Sequence, residues 1–150
     1  MRRLNKLPLG YMVQEASWQA AQAELAQVRL QVFVVEQHVP VAMEWDDLDA
    51  AAIHLLARDQ DQNAIGCARI LEGGSIGRMA VLKNWRKQGV GNALLQTAIA
   101  SCRSRGWLRL SLSAQTHAIG FYARAGFVVC SEEYLDAGIP HRDMVLQLNI

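Results

Sequence analysis

A chain of 150 residues suits one domain with a real buried core, and 51% apolar against 19% charged residues is ordinary for a soluble globular protein. The net charge of +1, with basic residues scattered, leaves no global field to recruit nucleic acid or a membrane surface. Three widely spaced cysteines (Cys67, Cys102, Cys130) with no CxxC speak against a disulfide framework or zinc knuckle and make the cytoplasm the expected compartment.

Met1-Arg2-Arg3 is basic, but Asn5, Lys6 and Pro8 interrupt the apolar run a signal peptide needs, and no stretch approaches membrane-spanning length. Repeats, low-complexity runs and linkers are lacking, so residues 1–150 read as a single domain. In chain order, residues 10–16 form an expected first strand. Ser17 then caps a helix whose Trp18, Ala21, Leu25, Val28 and Val32 share one face. That helix runs into Phe33-Val34-Val35-Glu36-Gln37, where β-branched residues weaken helical preference. Residues 38–49, with Pro40 and the acids Glu44, Asp46, Asp47 and Asp49, read as a loop with at most one short turn. Three strands follow, over residues 53–58, 64–71 and 75–82, joined by a polar turn and by Gly73-Gly74; short connections make them an antiparallel meander.

From Val90 the apolar positions Leu94, Ala98 and Cys102 recur every four residues, a helix ending in Arg103, Arg105 and Gly106. Residues 107–114 alternate leucine with arginine or serine as a strand. Residues 118–125 form a short helix closed by Gly126, residues 127–130 begin a strand, and residues 143–148 are the last strand, after a turn over 136–141. The order β-α-β-β-β-α-β-α-β-β predicts an α/β fold: a mixed, largely antiparallel sheet with helices on both faces.

Between the third strand and the second helix lies Arg86-Lys87-Gln88-Gly89-Val90-Gly91. A helix N-terminus leaves backbone N–H groups unpaired and carries partial positive charge. Gly89 and Gly91 leave the backbone open to an anion, and Arg86 and Lys87 add cationic donors, so the turn can cradle a phosphate or pyrophosphate. A P-loop would need Gly-Lys-Ser/Thr where Gly91 is followed by Asn92-Ala93, and a dinucleotide fingerprint would need glycine at Leu94. Both fail, which leaves the cradle and an ordinary strand-to-helix turn as the two readings.

Phe121-Tyr122-Ala123-Arg124-Ala125-Gly126-Phe127 weighs for the cradle. With it the chain resembles the GNAT acyltransferase superfamily, which pairs an Arg/Gln-x-x-Gly-x-Gly/Ala turn with a later Phe-Tyr-x-x-x-Gly-Phe segment. The likeness spans roughly residues 32–148. A narrower one, to the ElaA/YjcF-like branch, rests on residues 32–37, 76–81, 113–115 and 137–141. It implies acetyl-CoA as cofactor, its pyrophosphate on the backbone of Lys87, Gln88, Gly89, Val90, Gly91 and Asn92. The pantetheine arm would run along Met79, Ala80 and Val81, between two parallel strands that splay apart, here 75–82 and 108–114. Phe121 and Tyr122 would flank the cofactor. Where the family often carries asparagine, seven residues before the tyrosine, this chain has Gln115, which reaches differently. The implied reaction is direct transfer of an acetyl group to a small-molecule or peptide amine in a ternary complex; a non-catalytic CoA-binding module with the same fold is the rival. Dimers are common in the family, so a homodimer is one expected state, though no stripe in the sequence marks its interface.

Transfer to an amine needs a proton donor for the departing thiolate, and the Tyr122 phenol keeps its proton at neutral pH; a tyrosine that only packs against the cofactor is the plainer reading. For the general base, Glu36 follows an apolar run whose burial would raise its pKa, and His141 follows a Gly-Ile-Pro turn; both rank above His117. His54, inside an apolar strand, reads as a satisfied core or substrate-wall residue. Glu44, Asp46 and Asp47 can draw a cationic amine to the acceptor side, or belong to a solvated surface loop, or pair with Arg69 and Arg78 and make the loop structural; no calcium-loop pattern is present. An acyl-enzyme on Cys67 lacks a designated histidine.

Overall fold

The computed structural model describes residues 7–149; the basic Met1-Arg2-Arg3 start lies outside them. Strand β1 (Tyr11–Ala16) leads to helix α1 (Trp18–Arg29), capped as expected by the Ser17 hydroxyl, which accepts from Ala20 N–H at 3.2 Å. Ala21, Leu25, Val28 and Val32 form the buried stripe. The β-branched run beyond Arg29 does not end the helix. It widens it to a π-helix over Leu30–Glu36, with Gln37 N–H reaching Val32 O at 3.0 Å. The short α2 (Val41–Glu44) is the one turn expected in the acidic loop.

The meander is β2 (Ile53–Asp59), β3 (Ala64–Leu71) and β4 (Ser75–Val81), and α3 (Val90–Ser104) carries the crossover to β5 (Arg109–Gln115). Helix α4 (Ile119–Arg124), β6 (Val128–Val129), β7 (Tyr134–Asp136) and β8 (Ile139–Gln147) complete the chain. One mixed sheet runs β1-β2-β3-β4-β5-β8-β6, with β7 paired to β8; every pairing is antiparallel except β4 with β5. The last strand begins four residues earlier than the expected 143. Within the expected turn, only Ala137 and Gly138 (φ +51° and +75°) turn, a two-residue hairpin that lets Asp136 pair with Ile139.

Helices cover both faces. Val90, Leu94, Leu95, Ala98 and Cys102 of α3 pack on Leu55, Ile65, Ile70, Leu110 and Leu112; α1 covers Leu56, Cys67 and Ala80 on the other face. Because β3 is buried on both sides, its sequence is almost continuously apolar.

The parallel pair holds together only at Ser75–Ser111 and Ile76–Leu112. Beyond it, the β3 register jumps from Arg69–Gly77 to Cys67–Ala80, so β4 carries one extra residue, a bulge with Arg78 at φ +48°. The buried Cys67 thiol donates to Arg78 O at 3.3 Å and fixes the bulged peptide. With β4 bent away, β4 and β5 part, and the wedge opens into a cavity of about 820 Å³.

Candidate active site

The glycine turn sits at the N-terminus of α3. Lys87 and Gly89 both have left-handed backbones (φ +64° and +87°), and the first bond of the helix is Ala93 N–H to Gly89 O at 2.9 Å. The N–H groups of Val90, Gly91 and Asn92 therefore lie ahead of the helical ladder, where an anion can take them. Tyr11 supports the turn from β1: its hydroxyl lies 3.5 Å from Gln88 O and its ring meets Trp85 edge-on. A Cβ on Gly89 would sit 3.3 Å from that hydroxyl, and one on Gly91 3.5 Å from the Phe121 ring. The backbone is open, and the residues present fit a pyrophosphate.

Arg86 does something other than point at that anion. Its Nη1 and Nη2 donate to Glu36 at 2.6 and 2.7 Å, and its Nε donates to Val81 O at 3.0 Å. Since Leu82 N–H bonds to Ile65 O on β3, the Val81 peptide groups point the opposite way, into the wedge. Val81 C=O is taken by Arg86, and Val81 N–H faces the cavity that Met79, Ala80 and Val81 line together.

Tyr122, on α4, closes the same cavity. Its ring stands edge-on to Phe121 and Phe127, its hydroxyl lies 3.9 Å from Met79 Sδ, and burial pushes its pKa up to about 12. Gln115, at the end of β5, forms a reciprocal amide pair with Gln37 at 2.9 and 3.4 Å, so its side chain is already engaged across the wedge.

The two ranked bases differ in surroundings. Glu36 was expected to rise in pKa through burial; the Arg86 guanidinium instead holds its carboxyl below the usual range. His141 is buried in the cavity wall, and its Nδ1 lies 2.7 Å from Ile139 O. A carbonyl can only accept, so Nδ1 is the donor, which in the neutral imidazole leaves the lone pair on Nε2. The ring stacks on Tyr134, whose hydroxyl bonds both Ser113 and Asp143. His117 also lines the cavity but is exposed. His54 is a satisfied core residue, its Nε2 lying 2.8 Å from Asp49 O.

The acidic loop is a buried ion network. Arg29 pairs with Glu44 at 2.9 Å and Asp49 at 2.7 Å; Arg69 pairs with Asp46 at 2.8 Å and Asp49 at 3.2 Å; Arg78 lies 2.9 Å from Glu44 and 3.3 Å from Asp46. Three arginines balance three carboxylates, so Glu44 and Asp46 present no net negative field to an amine. The Arg69 guanidinium holds Asp46 down to about 2, while burial pushes Glu44 up. Asp47 faces a different, shallower pocket beside Trp18 and Trp45. The expected amine trap gives way to its structural alternative. Sequence reasoning missed Arg29, although a charge among Leu25, Val28 and Val32 on a buried stripe is itself a sign of a buried partner. It also missed Gln37, Tyr134 and Asp136, for which no local pattern exists.

Residues 17–148 match the Acetyltransferase (GNAT) domain family. The chain belongs to the GNAT acetyltransferase family. It is 39% identical over 121 residues to YjcF of Bacillus subtilis, an uncharacterized N-acetyltransferase, covering 79% of this chain and 86% of that one. Among solved structures, an acyl-CoA N-acyltransferase from Pseudomonas aeruginosa superposes with a TM-score of 0.82 at 32% identity, over 91% of this chain and 99% of the other. Escherichia coli ElaA gives 0.82 at 29% identity over the same shares. These likenesses place the chain in the ElaA/YjcF-like branch and make it an acyltransferase of the N-acetyltransferase kind.

Proposed function

We propose that the chain transfers an acetyl group from acetyl-CoA directly to an amine within a ternary complex. The wedge between β4 and β5 carries this reading: it gathers Val81, Tyr122 and His141 around one cavity, with Arg86, at the start of the glycine turn that leads into α3, on its lining. Bound acetyl-CoA supplies the activated thioester. The N–H groups from Lys87 to Asn92 hold its pyrophosphate, and the wedge walls Met79, Ala80 and Val81 take the place of a β-strand partner along its arm. Gln115 exchanges its Gln37 partner for the arm.

Val81 N–H meets the negative charge that builds on the carbonyl oxygen as the amine nitrogen attacks. His141 Nε2 receives the proton that the nitrogen loses. Tyr122, held protonated by burial, would donate its proton to the thiolate leaving group that bound acetyl-CoA would supply. A covalent route through Cys67 does not fit: burial pushes its pKa up to about 12, and its proton is committed to Arg78 O.

A thermal-shift series with acetyl-CoA, followed by thiol release over a panel of primary amines at cytoplasmic pH, tests the proposal. Acetyl-CoA should raise the melting temperature, and at least one amine should release thiol. Stabilisation without thiol from any amine would leave a CoA-binding module; no stabilisation would remove the cofactor.

A further inference from the structure

On the acyltransferase reading above, we infer that the amine acceptor carries a carboxylate and that Arg78 is the residue that binds it. Arg78 stands on the β4 bulge, immediately before the Met79–Val81 wall. Of the three arginines in the ion network it is the open one: its side chain is 25% exposed, against 1% for Arg29 and 6% for Arg69.

Its bonds leave it short of acceptors. Nη2 donates to Glu44 O at 2.9 Å and to Asp46 Oδ2 at 3.3 Å. Nε lies 2.9 Å from Glu44 Oε2, outside hydrogen-bond geometry, and is buried without a hydrogen-bond acceptor among the described residues, as is Arg69 Nε. Nη1 makes no hydrogen bond among the described residues. Each guanidinium brings five donors and no acceptor, so the network holds more N–H groups than the three carboxylates satisfy. An incoming ammonium would add donors where donors are in excess. A carboxylate adds acceptors, and the network's zero net charge does not repel it.

Asp136, on β7, lines the same cavity and makes no ion pair among the described residues. It sits on the hairpin that carries His141, where it can receive the acceptor's ammonium before His141 takes a proton from it. Val39, Met43, Leu71 and Ile139 give this otherwise polar lining, with Ser75, Ser113, Gln115 and His117, an apolar share. The acceptor class that fits is an amino acid, and the apolar share of the wall admits a side chain such as that of methionine.

The test is calorimetric titration of two product-like ligands of one skeleton, N-acetyl-L-methionine and N-acetyl-3-(methylthio)propylamine, into the protein with and without saturating CoA. The carboxylate-bearing ligand should bind at least about tenfold more tightly, the loss expected for one charge-assisted hydrogen bond. Arg78→Gln should erase that gap, and Arg78→Lys, which keeps a cation over Glu44, should shrink it. Equal affinities, no binding of either ligand, or a gap that persists in both variants would overturn the inference. The wild-type comparison decides even if Arg78→Gln fails to fold. Failure of CoA itself to bind would strike the acyltransferase reading, and the titration without CoA scores the carboxylate preference separately.

Discussion

Gly91→Asp separates the anion cradle from the fold, because the same carboxylate acts with opposite sign on each. Gly91 has an ordinary helical backbone, and its Cβ would meet Phe121 at 3.5 Å, normal van der Waals contact. In the first turn of α3, replacing glycine relieves about 0.5–1 kcal/mol of backbone entropy, and an acid there gains about 0.3–1 kcal/mol from the helix dipole. The melting temperature should therefore hold or rise. Against a bound pyrophosphate the sign reverses. With an effective dielectric of about 20 and a separation of about 6 Å, like charges cost roughly 3 kcal/mol before salt screening. Acetyl-CoA affinity should fall roughly 30- to 100-fold, measured by titration calorimetry, and recover in part at high salt. Unchanged affinity in a protein of equal or greater stability would refute the cradle. Gly89 is a poorer position: at φ +87° a side chain costs about 1–2 kcal/mol of strain, which mixes folding with binding.

Tyr122→Phe should lower kcat for thiol release by about a hundredfold and leave acetyl-CoA affinity within about twofold; equal turnover would remove Tyr122 as the acid. With its pKa at about 12, the phenol stays protonated past the ordinary range, so activity should not fall at about pH 10; a fall there that Tyr122→Phe abolishes would contradict the burial argument. His141→Gln should reduce kcat/KM about a hundredfold near neutrality and recover as rising pH deprotonates the amine, whereas Glu36→Gln should stay within about threefold; the reverse ranking would restore Glu36 as base. Asp46→Asn should destabilise the fold without raising KM for a cationic amine. The Asp46 pKa is depressed in the folded state, so its contribution of at most about 2 kcal/mol is present above pH about 4 and lost as pH falls toward about 2. Denaturant melts at both pH values that gave no difference between Asp46→Asn and the parent would end that account.

The parts legible in the sequence were those with a local period or a fixed spacing. The apolar stripe of α3, the Gly89/Gly91 turn and the Phe121–Phe127 segment each declare themselves within a short stretch of sequence. What escaped depends on residues far apart. Nothing near Glu36 announces that Arg86, fifty positions on, will hold its carboxyl ionised. The wedge itself hangs on an extra residue in β4 with arginine, not glycine, in a left-handed backbone, and sequence offers no period for a single bulge. The π-helix was half visible: the valine run signalled a weak helix but not a wider one. The acidic loop was read in both senses, and buried Arg29, overlooked on its own stripe, decided for structure.

Mass spectrometry of a single-turnover mixture reaches the central claim most directly. Protein and acetyl-CoA are combined first without amine, then with an accepted amine. Direct transfer in a ternary complex predicts no acetyl adduct on the protein at either stage. It also predicts one acetylated amine for each thiol released, appearing only after the amine is added. An acetyl group on the protein before the amine arrives, or thiol release with no acetylated amine, would contradict it.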